Sequence, residues 1–165
     1  MEAKHVILSA LEMHRNLTPL FVKDLADDTL TAQPANMKNH AAWQMGHIAF
    51  ALAGGCWFAG GERDLPEGWG ELFGAGSTPQ SDRSIYPSKQ ALVAQLDKQG
   101  EALEQAVSKA DASALAAENP REAMRRIAPT VAEALVYLTS GHYGYHLGQL
   151  AAWRNAMGLP KAFPR

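Results

Sequence analysis

Apolar residues recur along this chain with the period of an α-helix, in four separated runs. In the first, from about Ala3 to Leu25, the residues Ile7, Leu11, His14, Thr18, Phe21 and Leu25 are spaced by four and three, which stacks them on one helical face. Pro19 falls inside that run and predicts a kink or a break, because proline has no N–H to give to a helix. The second run, from about Ala41 to Ala59, sets Trp43, His47, Phe50, Gly54 and Trp57 on one stripe. The third opens behind Pro87, with Ser88 as its expected N-cap, and reaches about Lys109; its stripe is Leu92, Leu96, Gln99, Leu103 and Val107. The fourth, from about Thr130 to Met157, carries Leu135, Thr139, His142, His146, Gln149 and Trp153. It stops at Gly158, with Pro160 beyond.

The connections add topology. Gly60 to Pro87 holds six glycines and three prolines and is far longer than a tight hairpin needs, so it can cross the fold and let helices two and three run parallel. Ala110 to Pro129 is also long and predicts a short helix around Arg121 to Ile127. No strand alternation, internal repeat or low-complexity tract is visible. The expectation is an all-α fold, a four-helix bundle in one domain over residues 1–165.

Composition changes this picture little. A chain of 165 residues can bury a real core, and a net charge of −2 lacks the basic excess of a nucleic-acid-binding surface. Arg121, Arg125 and Arg126 form the one dense basic patch, read as a solvated turn or helix face. Cys56 is the single cysteine, so no intrachain disulfide forms, and its apolar surroundings mark it as a buried, inert thiol. The opening residues lack the features of a signal peptide, and the expected location is the cytoplasm. Ala41 to Gly61 has no charged residue and is long enough to cross a bilayer. It also holds Gln44, His47 and five glycines, and a membrane span would leave the other amphipathic helices without a partner. The expected reading is therefore a helix buried inside a bundle, with no membrane contact.

Candidate chemistry lies in the histidines, of which there are six. His142 and His146 are four apart, one helical turn, on the apolar stripe of the fourth run, where an unpartnered polar ring is costly. Two imidazoles so placed can supply adjacent positions around one divalent ion. His47 lies on the stripe of the second run beside the small Gly46, where a neighbouring helix can approach closely. It reads either as a third ligand or as a satisfied core histidine. His14 reads as a core histidine, a fourth ligand or a donor behind the ligands. His40 suits a capping or surface role, and His5 sits near a fraying terminus. No nucleophile elbow, phosphate-binding glycine loop, His-Glu-x-x-His or paired-glutamate di-iron pattern is present.

The order of the motifs carries a resemblance. Asn39-His40 precedes Trp43-Gln44-Met45-Gly46-His47; Tyr86-Pro87-Ser88 follows; His142-x-x-x-His146-x-Gly148-Gln149 leads to Trp153-Arg154 and Gly158-Leu159-Pro160. Over nearly its whole length the chain resembles the DinB/YfiT-like superfamily. The resemblance implies a four-helix bundle of up-down-down-up order. It implies a divalent ion, zinc or nickel first and iron or manganese also, held by one histidine of the second helix and two of the fourth; these map onto His47, His142 and His146. It further implies homodimers, and in some relatives hydrolase or transferase activity with a low-molecular-weight thiol such as mycothiol or bacillithiol. The family name refers to induction by DNA damage and implies no nucleic-acid binding.

The leading expectation is a metal-dependent hydrolase or thiol transferase acting on a small molecule, the ion lowering the pKa of a water or thiol. Gln149, three residues past His146, then orients a ligand or a histidine's second ring nitrogen, or packs between helices. Tyr143 is expected to point away from the histidine face, and Tyr145 to line the pocket edge or to pack. The rivals are a non-catalytic bundle that binds a metal or small molecule, and a metal-free bundle with core histidines.

Overall fold

All four periodic runs form helix in the computed structural model, which describes residues 3–163. In chain order the helices are α1 (Ala3–Val22), α2 (Ala41–Phe58), the short α3 (Trp69–Phe73), α4 (Lys89–Lys109), the short α5 (Ala112–Ala116), α6 (Val131–Val136) and α7 (Tyr143–Ala156). A π-helical segment, Tyr137–His142, joins α6 to α7. The described residues form no strand beyond one isolated bridge between Glu118 and Thr130. None of the described helices is long and apolar enough to cross a membrane.

Burial follows the periodicity in α1 and α4. All six stripe residues of the first run are buried, as are all five of the third. α1 runs through Pro19 without the expected break. The missing N–H costs one hydrogen bond in the helix's last turn, the Thr18 hydroxyl donates to the His14 carbonyl at 2.8 Å, and the Lys23 N–H reaches the Pro19 carbonyl at 3.0 Å. The helix ends at Val22, three residues early, and Asp24 then pairs with Arg154 of α7 at 2.8 Å. α4 starts as expected on Ser88, whose hydroxyl accepts from the Ala91 N–H.

α4 packs against both α1 and α2, and the α6–π–α7 helix packs against both as well. α2 is therefore enclosed on several sides, and Ala41 to Ala49 are buried without interruption. The long link after α2 contains α3, which lies back against α2. The second link departs from expectation. The helix predicted around Arg121 to Ile127 is only a 3₁₀ turn, Glu122–Met124, because buried Asn119 ties the segment into a compact loop. Its side chain donates to the Ala128 carbonyl at 2.8 Å and accepts from the Arg121 N–H at 3.0 Å.

The π-helical segment has a sequence cause. Leu135, Thr139, Tyr143 and Leu147 are all buried, and each step between them is four residues. On a regular α-helix four residues overshoot a turn by about 40°, so three such steps drift by about 120°. A π turn takes more residues per turn and absorbs that drift. The Thr139 hydroxyl donates to the Leu135 carbonyl at 2.9 Å and the Ser140 hydroxyl to the Val136 carbonyl, which occupies carbonyls that the altered ladder serves less well.

Candidate metal centre

α2 and α7 face each other across the interior, and the π segment ends on His142. This brings His47, His142 and His146 together, with one ring nitrogen from each inside a sphere where all separations are within 4.8 Å. His47 Nε2 and His142 Nε2 lie 3.2 Å apart. Two nitrogens held at about 2.05 Å from one tetrahedral ion stand about 3.3 Å apart, so the pair already has the separation of two ligands.

Each buried histidine is oriented from behind. The Nδ1–H of His47 donates to the Phe73 carbonyl at 2.7 Å, at the end of α3. The Nδ1–H of His146 donates to Gln44 Oε1 at 2.6 Å. Gln44 is locked in that sense because its amide N–H donates to Gln149 Oε1 at 2.7 Å, and Gln149 in turn donates to the Tyr145 hydroxyl at 2.6 Å. With Nδ1 committed on both rings, Nε2 is left as the lone-pair nitrogen, the tautomer that a metal requires. The Trp43 ring stacks on His47, 4.4 Å between centroids and 11° from parallel, and fixes its tilt. Gly46 makes room for this arrangement: a Cβ there would overlap the Phe73 ring.

Electrostatics keep the rings neutral. Burial pushes His146 down to about 3, and the charges that His142 and His47 would carry push in the same direction. His142 falls to about 4 through burial, with smaller contributions from His47 and from the positive charge of Arg121. Burial also lowers His47, against the bond to Phe73 that favours its charged form. Three imidazoles kept neutral, with the Nε2 lone pairs of His47 and His146 left free, form a donor set that fits a borderline-soft divalent ion. No fourth histidine, cysteine or carboxylate joins the cluster among the described residues.

The other sequence candidates fall into place around it. His14 is buried on α1 but stacks on Tyr143, 5.1 Å between centroids, and bonds through Nδ1 to the Ala10 carbonyl; it lies outside the cluster. Tyr143 itself points away from the cluster, its hydroxyl 2.8 Å from that of Thr18. Gln149 acts two steps back from His146, through Gln44. Tyr145 is exposed at the rim, edge-on to His146 at 5.1 Å. His40 caps α2 by accepting from the Trp43 N–H at 3.1 Å, and it is fully buried rather than on the surface. Cys56 is buried, and burial raises its thiol.

His47 and His142 open onto a cleft of about 760 Å³. α2 forms one wall with Phe50 and Trp57, and the loop from Pro120 to Ile127 forms the other. Arg63 and Arg121 border it; Arg63 was not singled out from the sequence, and Arg121 belongs to the patch read as a solvated face. Gln44 also escaped notice as a functional residue, although an amide in a long uncharged apolar stretch is a signal in itself.

No individually curated protein matches the chain. The family model of the DinB superfamily matches residues 10–150, which include all three clustered histidines and the residues that orient them, and the chain therefore belongs to the DinB superfamily.

Proposed function

We propose that this protein is a metal-dependent enzyme that acts on a small molecule entering the cleft, by hydrolysis or by transfer of a low-molecular-weight thiol. The observation that carries the reading is the three-histidine cluster with no fourth protein ligand among the described residues and with two of its rings facing an open cleft. A structural ion is enclosed by four protein ligands, whereas a catalytic one keeps a position free. His47, His142 and His146 would hold the ion, zinc or nickel first. When bound, such an ion supplies Lewis acidity that lowers the pKa of a water or thiol beside it. Phe73 and Gln44 hold the imidazoles of His47 and His146 in their lone-pair orientation, and the buried Trp43 ring packs against His47. We also read the fold as a four-helix bundle of up-down-down-up order, a reading consistent with α4 and the α6–π–α7 helix each touching both α1 and α2.

The test is metal content followed by spectroscopy. Protein purified without a histidine tag and incubated with zinc or nickel should hold about one ion per chain, and His142→Ala should lower affinity by orders of magnitude. Less than about half an ion per chain, or full occupancy in the variant, overturns the site. Cobalt-substituted protein titrated with a small thiol should develop a thiolate-to-cobalt charge-transfer band. An unchanged spectrum would mean that the ion has no open position, and the enzymatic reading would fall while the metal site stood.

A further inference from the structure

The cleft has a charge pattern of its own. Its lining contains two arginines, Arg63 and Arg121, and no aspartate, glutamate or lysine. Among the described residues neither arginine takes part in an ion pair, although Arg125, four positions along, pairs with Glu118 at 3.0 Å. Both are held in place by other means. The Arg63 guanidinium lies over the Phe50 ring, 4.3 Å from its centroid, and Phe50 is nearly parallel to His47 at 6.4 Å. One positive group thus stands a single aromatic ring away from the histidine cluster. Arg121 is fixed through its backbone, which buried Asn119 binds at 3.0 Å. Apart from His47, His142 and the Tyr137 hydroxyl, the rest of the lining is apolar or glycine, and three of the few exposed large apolar or aromatic side chains among the described residues, Trp57, Ile127 and Tyr137, border this one cleft. Exposed apolar side chains gathered around a concavity mark a binding site, and arginine is the side chain suited to carboxylate recognition.

We infer that the substrate is a small organic anion: an apolar body that lies against Trp57 and Ile127, with a carboxylate or comparable negative group held by Arg121 and Arg63. The inference rests on the metal reading only for where the reactive end is placed; the recognition of the anion stands on the arginines and the apolar wall. A neutral molecule of the same shape leaves both guanidinium groups unpaired beside an apolar surface, which is the basis of selection.

The probes are 4-phenylbutyrate and its neutral amide, 4-phenylbutyramide, each titrated calorimetrically into the full chain with and without zinc. The carboxylate should bind at least about tenfold more tightly than the amide in the metal-free protein. Arg121→Gln and Arg63→Gln should each remove most of that preference and leave amide binding within about twofold; both positions are exposed, so folding is not at issue. A carboxylate preference that appears only with zinc and ignores both arginine variants overturns the inference and leaves the metal site standing. A preference that depends on the arginines in a protein that takes up no metal supports the inference and removes the metal reading. Equal binding of the two probes, or binding of neither, overturns the inference outright.

Discussion

Gln44 Oε1 accepts a hydrogen bond from His146 Nδ1 at 2.6 Å, and the two side chains come from facing helices. The bond does more than fill a buried acceptor. It decides which nitrogen of His146 keeps its lone pair. Gln44→Ala should therefore weaken zinc binding by about 10–100-fold, as loss of a group behind a metal ligand typically does. Gln44→Glu, which keeps the acceptor, should restore most of the affinity. Competition with a chromophoric chelator measures both, and equal affinity in wild type and Gln44→Ala would show that the ring needs no such support.

Gly46 tests the other anchored ring. Its bare Cα lets Phe73 close over α2, and the Phe73 carbonyl holds His47. Gly46→Ala should displace that ring, cost about 1–3 kcal/mol in urea unfolding and lower zinc affinity at the same time. A destabilised variant with unchanged affinity would separate the packing of α3 from the orientation of His47.

The clustered histidines, His146 buried and His142 half-buried, set a pH dependence for the metal-free protein. Their folded-state values lie below the ordinary 6.5, at about 4 for His142 and about 3 for His146. The unfolded chain therefore binds more protons than the folded one in this window. The stability contribution is fully present above about 6.5 and is lost as pH falls through 6.5 toward 4 and 3. The urea midpoint should drop between pH 7 and pH 5, and a His142→Leu/His146→Leu double variant should show a shallower drop. His40, held at about 4 by burial, stays in that variant and keeps part of the slope. An identical slope in both proteins would place the proton uptake elsewhere.

Stability and metal binding should separate at the other end of α7. Arg154 is buried and donates to Asp24 at 2.8 Å and to the carbonyls of Phe21 and Pro160. Asp24→Asn leaves that guanidinium with a neutral partner and should cost about 1–3 kcal/mol, moderated because Asp24 is partly exposed. Zinc stoichiometry should remain that of the wild type; a loss of metal would mean that the end of α7 and the histidines move together.

Legibility in the sequence tracked the chemistry of each helix. α1 and α4 have one apolar and one polar face, so every residue of their stripes is buried, and the stripes miss only Val22, Gly100 and Ala106 within those helices. α2 is apolar nearly all round, and periodicity cannot select its inner face. The stripe read there, from Trp43 to Trp57, turns from the core toward the cleft, and Trp57 is 52% exposed. The pair His142 and His146 follows from helical spacing alone, whereas His47 needed its apolar setting and the family resemblance. The Phe73 carbonyl left no trace, being a backbone atom, and Arg63 and Arg121 are brought to the cleft by loops whose course no local pattern encodes. The π segment did leave a trace, in the three consecutive four-residue steps from Leu135 to Leu147, a spacing that a regular α-helix cannot keep on one face.

That segment makes the ligand pair a matter of phase. A π turn holds one residue more than the α turn it replaces, so closing Tyr137–His142 into a regular α ladder with no residue removed would rotate α6 against α7 by about 100°. His142 and His146 would then keep their spacing but could not both meet His47 while α6 kept its own buried face. Substitutions in Tyr137–His142 that favour a regular α ladder are thus a route by which descent could silence the site, with α1 and α4 untouched. Among relatives of this chain, the phase of the last helix, set by its wide turn and its residue count together, becomes a marker of metal competence that is independent of whether the histidines themselves survive.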